Sequence, residues 1–195
     1  VRKEILMNNF VKNTINKEKP YTFSGSYDIG DVCFLLKEIS GLISESDTLY
    51  REKAIQSGTH YSEMLPIEYK PSDEYINMFH RSLEDSAMKL AHATAVVANK
   101  ILTNRGKNIV LVSLARAGTP VGILIKRYLK EKIGLEAPHY SVSIIRGKGI
   151  DENAVRYILK NHKDQEIQFI DGWTGKGMIT RVLNESCSDL YKKTG

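Results

Sequence analysis

Cysteine is scarce in this chain of 195 residues: Cys33 and Cys187 stand far apart, with no CxxC pair. No histidine lies near either in metal-ligand spacing, so neither a disulfide framework nor a zinc site is expected. A reducing cytoplasm fits that usage. No run of about 18 apolar residues occurs, so no membrane-spanning helix is expected. The opening VRKEILMNNFVKN is too polar for a secretory signal core. Five prolines and the absence of any low-complexity tract leave an ordinary globular composition, 42% hydrophobic and 26% charged. At 22.0 kDa the chain can bury a proper core. Its 28 Lys and Arg against 23 Asp and Glu give +5. That excess suits a polyanionic ligand, a nucleotide or weak RNA contact, and equally a solvated basic surface. The first residue is Val1 rather than Met, so a fragment of a longer protein is expected.

Residues 1–20 are rich in Lys and Asn and read as a lead-in or short helix. Ser24-Gly25-Ser26 and Asp28 to Asp31 are turn chemistry. VCFLLKEI after them is a short apolar run that fits a strand or a buried helical turn. A helix is predicted from Ser46 to about Ser57, stopped by Gly58. His60, Tyr61 and Glu63 then form a polar cluster that could supply a general acid or base or simply bond locally. Ser72 is placed to cap the longest helix, with Asp73 and Glu74 in its first turn, an apolar stripe to about Asn104 and Arg105-Gly106 as its end. Its alanine-rich second half is expected to pack on a sheet.

From Lys107 the pattern becomes strand, loop, helix, repeated. NIVLVSL is continuously apolar and β-branched, as in a parallel strand buried on both faces. VGILIKRYLKEK follows as a helix, with Thr119 as its expected cap and Pro120 in its first turn. HYSVSII is the next strand, Asp151 caps the helix ENAVRYILKNH, and EIQFID is the third strand. The fold class expected is α/β, a Rossmann-like parallel sheet flanked by helices, over residues 71–195. Residues 1–70 would be a helical or irregular N-terminal addition and hood. Ligands of such sheets sit at the carboxyl ends of the strands.

Each of those three ends carries phosphate-compatible residues. The first has Ala115, Arg116, Ala117 and Gly118: free amides at a helix start plus a guanidinium. The second has Arg146 and Lys148 between glycines, a basic loop able to close. The third has Asp171, Gly172, Trp173, Thr174, Gly175, Lys176 and Gly177. There Asp171 could hold a sugar hydroxyl or a metal, and the turn could cradle a phosphate. This last loop matches neither a Walker A motif nor the GxGxxG order.

The order of these loops resembles the type I phosphoribosyltransferases, which bind phosphoribosyl pyrophosphate (PRPP) with magnesium. LARAG (114–118) matches that family's pyrophosphate loop, IRGKGIDE its flexible loop and FIDGWTGKG its ribose-5-phosphate loop. More narrowly, FSGSY, QSGTHYSEMLP, LVSLARAGTPVG, HYSVSIIRGKGIDENAVRYIL and FIDGWTGKG are similar to one branch. These are the phosphoribosyltransferases predicted from tellurite-resistance operons, catalogued as the cysteine protease StiP family. Members are longer, some with an RNA-binding module, so a C-terminal truncation is expected. The resemblance departs at the ribose loop, where one acid, Asp171, stands in place of two.

The resemblance implies transfer of a phosphoribosyl group from PRPP with Mg2+ to or from a base or nucleoside-like acceptor, in a cytoplasmic protein. Arg116 and residues 115–118 would hold pyrophosphate, Asp171 the ribose and indirectly the metal, and residues 172 and 174–177 the phosphate. Arg146 and Lys148 would close the loop, and His60, Tyr61 and Glu63 would face the acceptor. A homodimer and an RNA link through the absent module are further expectations. One alternative is a nucleotide-sensing domain without catalysis. Another is the cysteine protease of the catalogue name. Against the latter, Cys33 sits in an apolar run, Cys187 lies beyond the cradle, and His60, His80, His92, His139 and His162 show no recognisable pairing with either.

Overall fold

In the computed structural model, residues 25–39 and 41–194 are described. The lead-in expected over residues 1–20 lies outside them. The elements in chain order are β1 (Cys33–Phe34), β2 (Glu45–Ser46), α1 (Thr48–Gln56), a 3-10 turn (Tyr61–Glu63), β3 (Leu65–Pro66) and α2 (Asp73–Arg105). There follow β4 (Ile109–Ala115), α3 (Gly118–Tyr128), β5 (His139–Ile145), β6 (Gly149–Ile150), α4 (Glu152–Asn161), β7 (Glu166–Ile170) and α5 (Met178–Thr194).

The main sheet runs β1-β5-β4-β7 with all those neighbours parallel, and β6 pairs antiparallel with β5. Its two faces explain the unbroken apolar run of β4. Val110, Val112 and Leu114 point into one core with Val155 and Ile158 of α4 and Leu190 of α5. Ile109 and Leu111 point into the other with Ala98 and Ile101 of α2 and Ile125 of α3. A strand covered on both sides has no face to leave polar. The α/β class expected from the sequence is thus observed, a mostly parallel sheet flanked by helices. β5 lies on one side of β4 and β7 on the other, so the chain reverses direction across the sheet at β4. That places the carboxyl end of β4 at a topological switch point.

Local chemistry sets most boundaries where expected. The Ser72 hydroxyl accepts the Tyr75 N–H at 3.2 Å, and α2 ends at Gly106 with φ +75°. Asp151 accepts the N–H groups of Asn153 and Ala154 at the start of α4. Three details differ. Thr119 is not the cap of α3, because the Thr119 N–H already bonds the Arg116 carbonyl at 3.1 Å. Its hydroxyl lies inside, 2.8 Å from that of Ser141. Only Cys33 and Phe34 of VCFLLKEI join the sheet. And α2 packs its last third alone: among its described residues only Ala98 and Ile101 are buried. The reason is length, since 33 residues of helix span about 50 Å whereas seven residues of β4 span about 23 Å.

The segment before β1 is fastened to α3. Arg127 donates to Asp28 at 2.9 Å and to Asp31 at 3.0 Å, and Lys126 donates to the Gly30 carbonyl at 2.5 Å. Arg127 holds the Asp31 carboxyl below its ordinary value. Beneath this clasp His139 is buried, its Nδ1 2.8 Å from the Asp31 carbonyl oxygen and its Nε2 2.8 Å from the Ser113 hydroxyl. Gly122 leaves the room: a Cβ there would stand 2.2 Å from Ser113 Oγ.

Burial pushes the His139 imidazole down to about 4 from 6.5. The unfolded chain therefore takes up a proton that the folded one refuses between those values. This contribution to stability is complete above pH 6.5 and lost as pH falls towards 4, by roughly 3 kcal/mol at most. Urea unfolding at about pH 7 and about pH 5 is expected to show that loss in the wild type and a smaller one in His139→Gln.

Candidate functional site

Two groups of residues carry chemistry, at opposite ends of the sheet. At the carboxyl end, the loops after β4 and β7 interlock backbone to backbone. A Cβ on Gly118 would stand 2.3 Å from the Ile170 carbonyl oxygen, and one on Gly172 would stand 2.3 Å from that of Ala117. Ala115 is half-buried, Arg116 and Ala117 are exposed, and Gly118 is buried. Asp171 accepts the Trp173 N–H through Oδ1 at 3.1 Å. Its Oδ2 is buried and has no hydrogen-bond partner among the described residues. Thr174, Gly175, Lys176 and Gly177 are exposed, and the turn closes on itself where the Gly177 N–H meets the Thr174 carbonyl at 3.2 Å.

Lys148, in the loop between β5 and β6, pairs with Glu63 at 3.0 Å and draws the Glu63 carboxyl below its usual range. Two of the segments singled out by sequence are thus in contact. His60 bonds Ser62 through Nδ1 at 2.8 Å and lies against the Tyr61 ring, a local arrangement. Arg146 is exposed. No hydrogen bond or ion pair joins Arg116 or Arg146 to Asp171, and no group of three metal-ligating side chains occurs, among the described residues.

At the amino end of the sheet the sequence missed a row of four side chains. Cys33 on edge strand β1 is the register partner of Tyr140 on β5. In a parallel pair the two side chains leave the same face on strands about 4.8 Å apart. The Tyr140 hydroxyl lies 2.8 Å from His162 Nε2, and the rings meet edge to face at 5.5 Å. His162 Nδ1 faces Gln165 Oε1 at 2.5 Å. An amide oxygen only accepts, so Nδ1 carries the proton and Nε2 is left to accept from the phenol. Burial raises the Cys33 thiol above 9.0, and burial, Tyr157 and Cys33 together raise the Tyr140 phenol above 10.0. Cys187 on α5 is also raised by burial and has no hydrogen bond to a histidine among the described residues. A Cys-to-His spacing carries no signal here, because the contact is created by strand register and by where α4 ends.

A family model described as "Tellurite-like stress resistance cysteine protease StiP" matches residues 25–194. Among curated proteins, the "Cysteine protease StiP" of Acinetobacter baylyi (strain ATCC 33305 / BD413 / ADP1) is 38% identical over 179 residues. That match covers 88% of this chain and 46% of the relative, so the chain spans about half the relative's length. No solved structure matches. The branch-level resemblance holds, and the activity inferred from it does not. Both names are those of a cysteine protease and neither points to PRPP, so the expected phosphoribosyl transfer, and with it the glycosyltransferase class, is set aside. The loops misled for a physical reason: at Gly118 and Gly172 the missing side chain makes room for a neighbouring loop. No helix among the described residues is long and apolar enough to cross a membrane.

Proposed function

We propose that this chain, which belongs to the StiP family of tellurite-like stress resistance cysteine proteases, supplies the reacting thiol of a peptide hydrolase. Cys33 is the nucleophile and His162 the base. The observation that carries the reading is the register pairing of Cys33 with Tyr140, whose hydroxyl begins the hydrogen-bonded chain Tyr140, His162, Gln165. A thiol raised by burial is a poor nucleophile until its proton has somewhere to go. Here it passes to the Tyr140 oxygen as Tyr140 gives its own proton to His162 Nε2. The sulfur bonds to the peptide carbonyl carbon, and the C–N bond then breaks. The leaving amine takes the proton back from His162 by the same route, and water hydrolyses the thioester. Gln165 fixes the tautomer that makes Nε2 the acceptor.

Casein digestion with parallel iodoacetamide labelling tests this. Labelling of Cys33 that quickens as the medium is made alkaline and removes hydrolysis in proportion is the expected result. Loss of hydrolysis with the label on Cys187 alone would overturn the assignment, and hydrolysis untouched by full labelling would overturn the thiol mechanism.

One observation favours a second role at the carboxyl end, that of a nucleotide-sensing site without catalysis. The buried Asp171 Oδ2 lacks a donor, and a ligand hydroxyl could provide one. If so, Asp171→Asn should weaken nucleotide binding measured by calorimetry at least tenfold; equal binding by the variant removes this reading.

A further inference from the structure

Passing a proton asks more of Tyr140 than its one hydrogen bond supplies. A tyrosine ring turns readily about the axis from Cβ to its hydroxyl, because that torsion has only broad, two-fold preferences. The bond to His162 Nε2 fixes the far end of this axis and leaves rotation about it open. That rotation matters because a phenol oxygen is conjugated with its ring: the O–H bond lies in the ring plane, and so does the lone pair on its other side. The ring plane therefore sets the side from which Tyr140 accepts a proton while it donates to His162.

A neighbouring ring holds that plane. Tyr157 meets Tyr140 edge to face, with centroids 6.2 Å apart and planes at 77°. His162 meets the same ring at 5.5 Å and 62°. Both partners belong to α4, His162 being the residue that ends it. The helix is anchored by Ala154, Val155 and Ile158, all buried in the core that Val110 and Val112 enter. Tyr157 stands half-buried and packs against that core. The last turn is closed twice: the His162 N–H donates to the Ile158 carbonyl at 2.9 Å, and the Asn161 side-chain amide donates to the Tyr157 carbonyl at 2.8 Å. Tyr157 and His162 are thus held in one frame, and the Tyr140 ring lies against both. A supporting group of this kind fixes a geometry that the reacting groups cannot fix alone.

We infer that Tyr157 is a positioning residue, whose ring sets the plane of Tyr140 and with it the direction in which the phenol passes a proton. The inference rests on the role proposed above for Tyr140 in hydrolysis. Tyr157→Leu and Tyr157→Met, which remove the ring and keep apolar bulk, are expected to lower kcat about tenfold at unchanged KM. Tyr157→Phe, which keeps the ring, should restore kcat to within about twofold of the wild type. NMR of the Tyr140 ring signals follows the plane without any hydrolysis: flipping at least about tenfold faster in both aliphatic variants, and unchanged in Tyr157→Phe, is expected. Unchanged flipping in both aliphatic variants overturns the inference, as does faster flipping at a wild-type kcat. A loss in Tyr157→Phe as deep as in the aliphatic variants overturns it too, since the hydroxyl and not the ring would then matter. Hydrolysis that survives Cys33→Ser removes the thiol mechanism and this inference with it, and that variant alone tells this failure from the others.

Discussion

Replacing Cys33 by serine is expected to lower peptide hydrolysis by about a thousandfold or more, while Cys187→Ser stays within about twofold of the wild type. The asymmetry follows from surroundings rather than from acidity, since burial raises both thiols. Only Cys33 adjoins a phenol that is itself bonded to an imidazole. Removing the base should cost nearly as much: His162→Gln is expected to lose about 10² to 10⁴ in rate, the range of a positioned proton acceptor. Tyr140→Phe is the sharper test. It keeps the ring and its packing and deletes the oxygen bonded to His162 Nε2. A loss of tenfold or more, with unchanged melting and a shifted pH profile, supports the relay. Unchanged kinetics would mean that the thiol reaches its base by another path.

A methyl group at Gly118 should be the most damaging small change to the fold. The added carbon would stand 2.3 Å from a backbone carbonyl oxygen, and backbone on both sides leaves neither partner a rotamer to move into. Gly118→Ala is expected to cost about 3 kcal/mol, seen as a melting temperature lower by roughly 6–12 °C. Gly172→Ala should behave alike. Gly175 in the same loop has nothing within 4 Å of an added Cβ, and Gly175→Ala should stay within about 0.5 kcal/mol. Equal melting of all three variants would show that the loops do not lock together.

The contrast among these glycines explains what could be read from residues alone. Caps and strand periods are local, so Ser72, Asp151 and the β4 run announce their roles within a few positions. A glycine announces only that something comes close. At Gly118 and Gly172 the neighbour is the protein's own backbone, which no spacing distinguishes from a phosphate. β1 is the opposite case. Two residues of ladder leave no period to detect, and Cys33 finds Tyr140 only through register set far along the chain. Likewise, His162 looks like the fraying end of a helix until the sheet places Tyr140 beside it. The sheet architecture was therefore legible, and the row that carries the proposed chemistry was not.

β1 also governs when its thiol can be reached. It holds the sheet edge by two residues and by the Leu35 N–H to the Ser141 carbonyl, 3.0 Å, with the Arg127 clasp just before it. An edge so lightly tethered opens at far less free energy than the sheet behind it. Cys33 is half-buried where it stands, and partial detachment of this one margin is expected to expose it further while the cores built on β4 stay shut. Stress that loosens the clasp, such as high salt screening Arg127 from Asp28 and Asp31, would quicken the thiol's reactivity without unfolding the protein. The strand that carries the sulfur thus sets its own duty cycle.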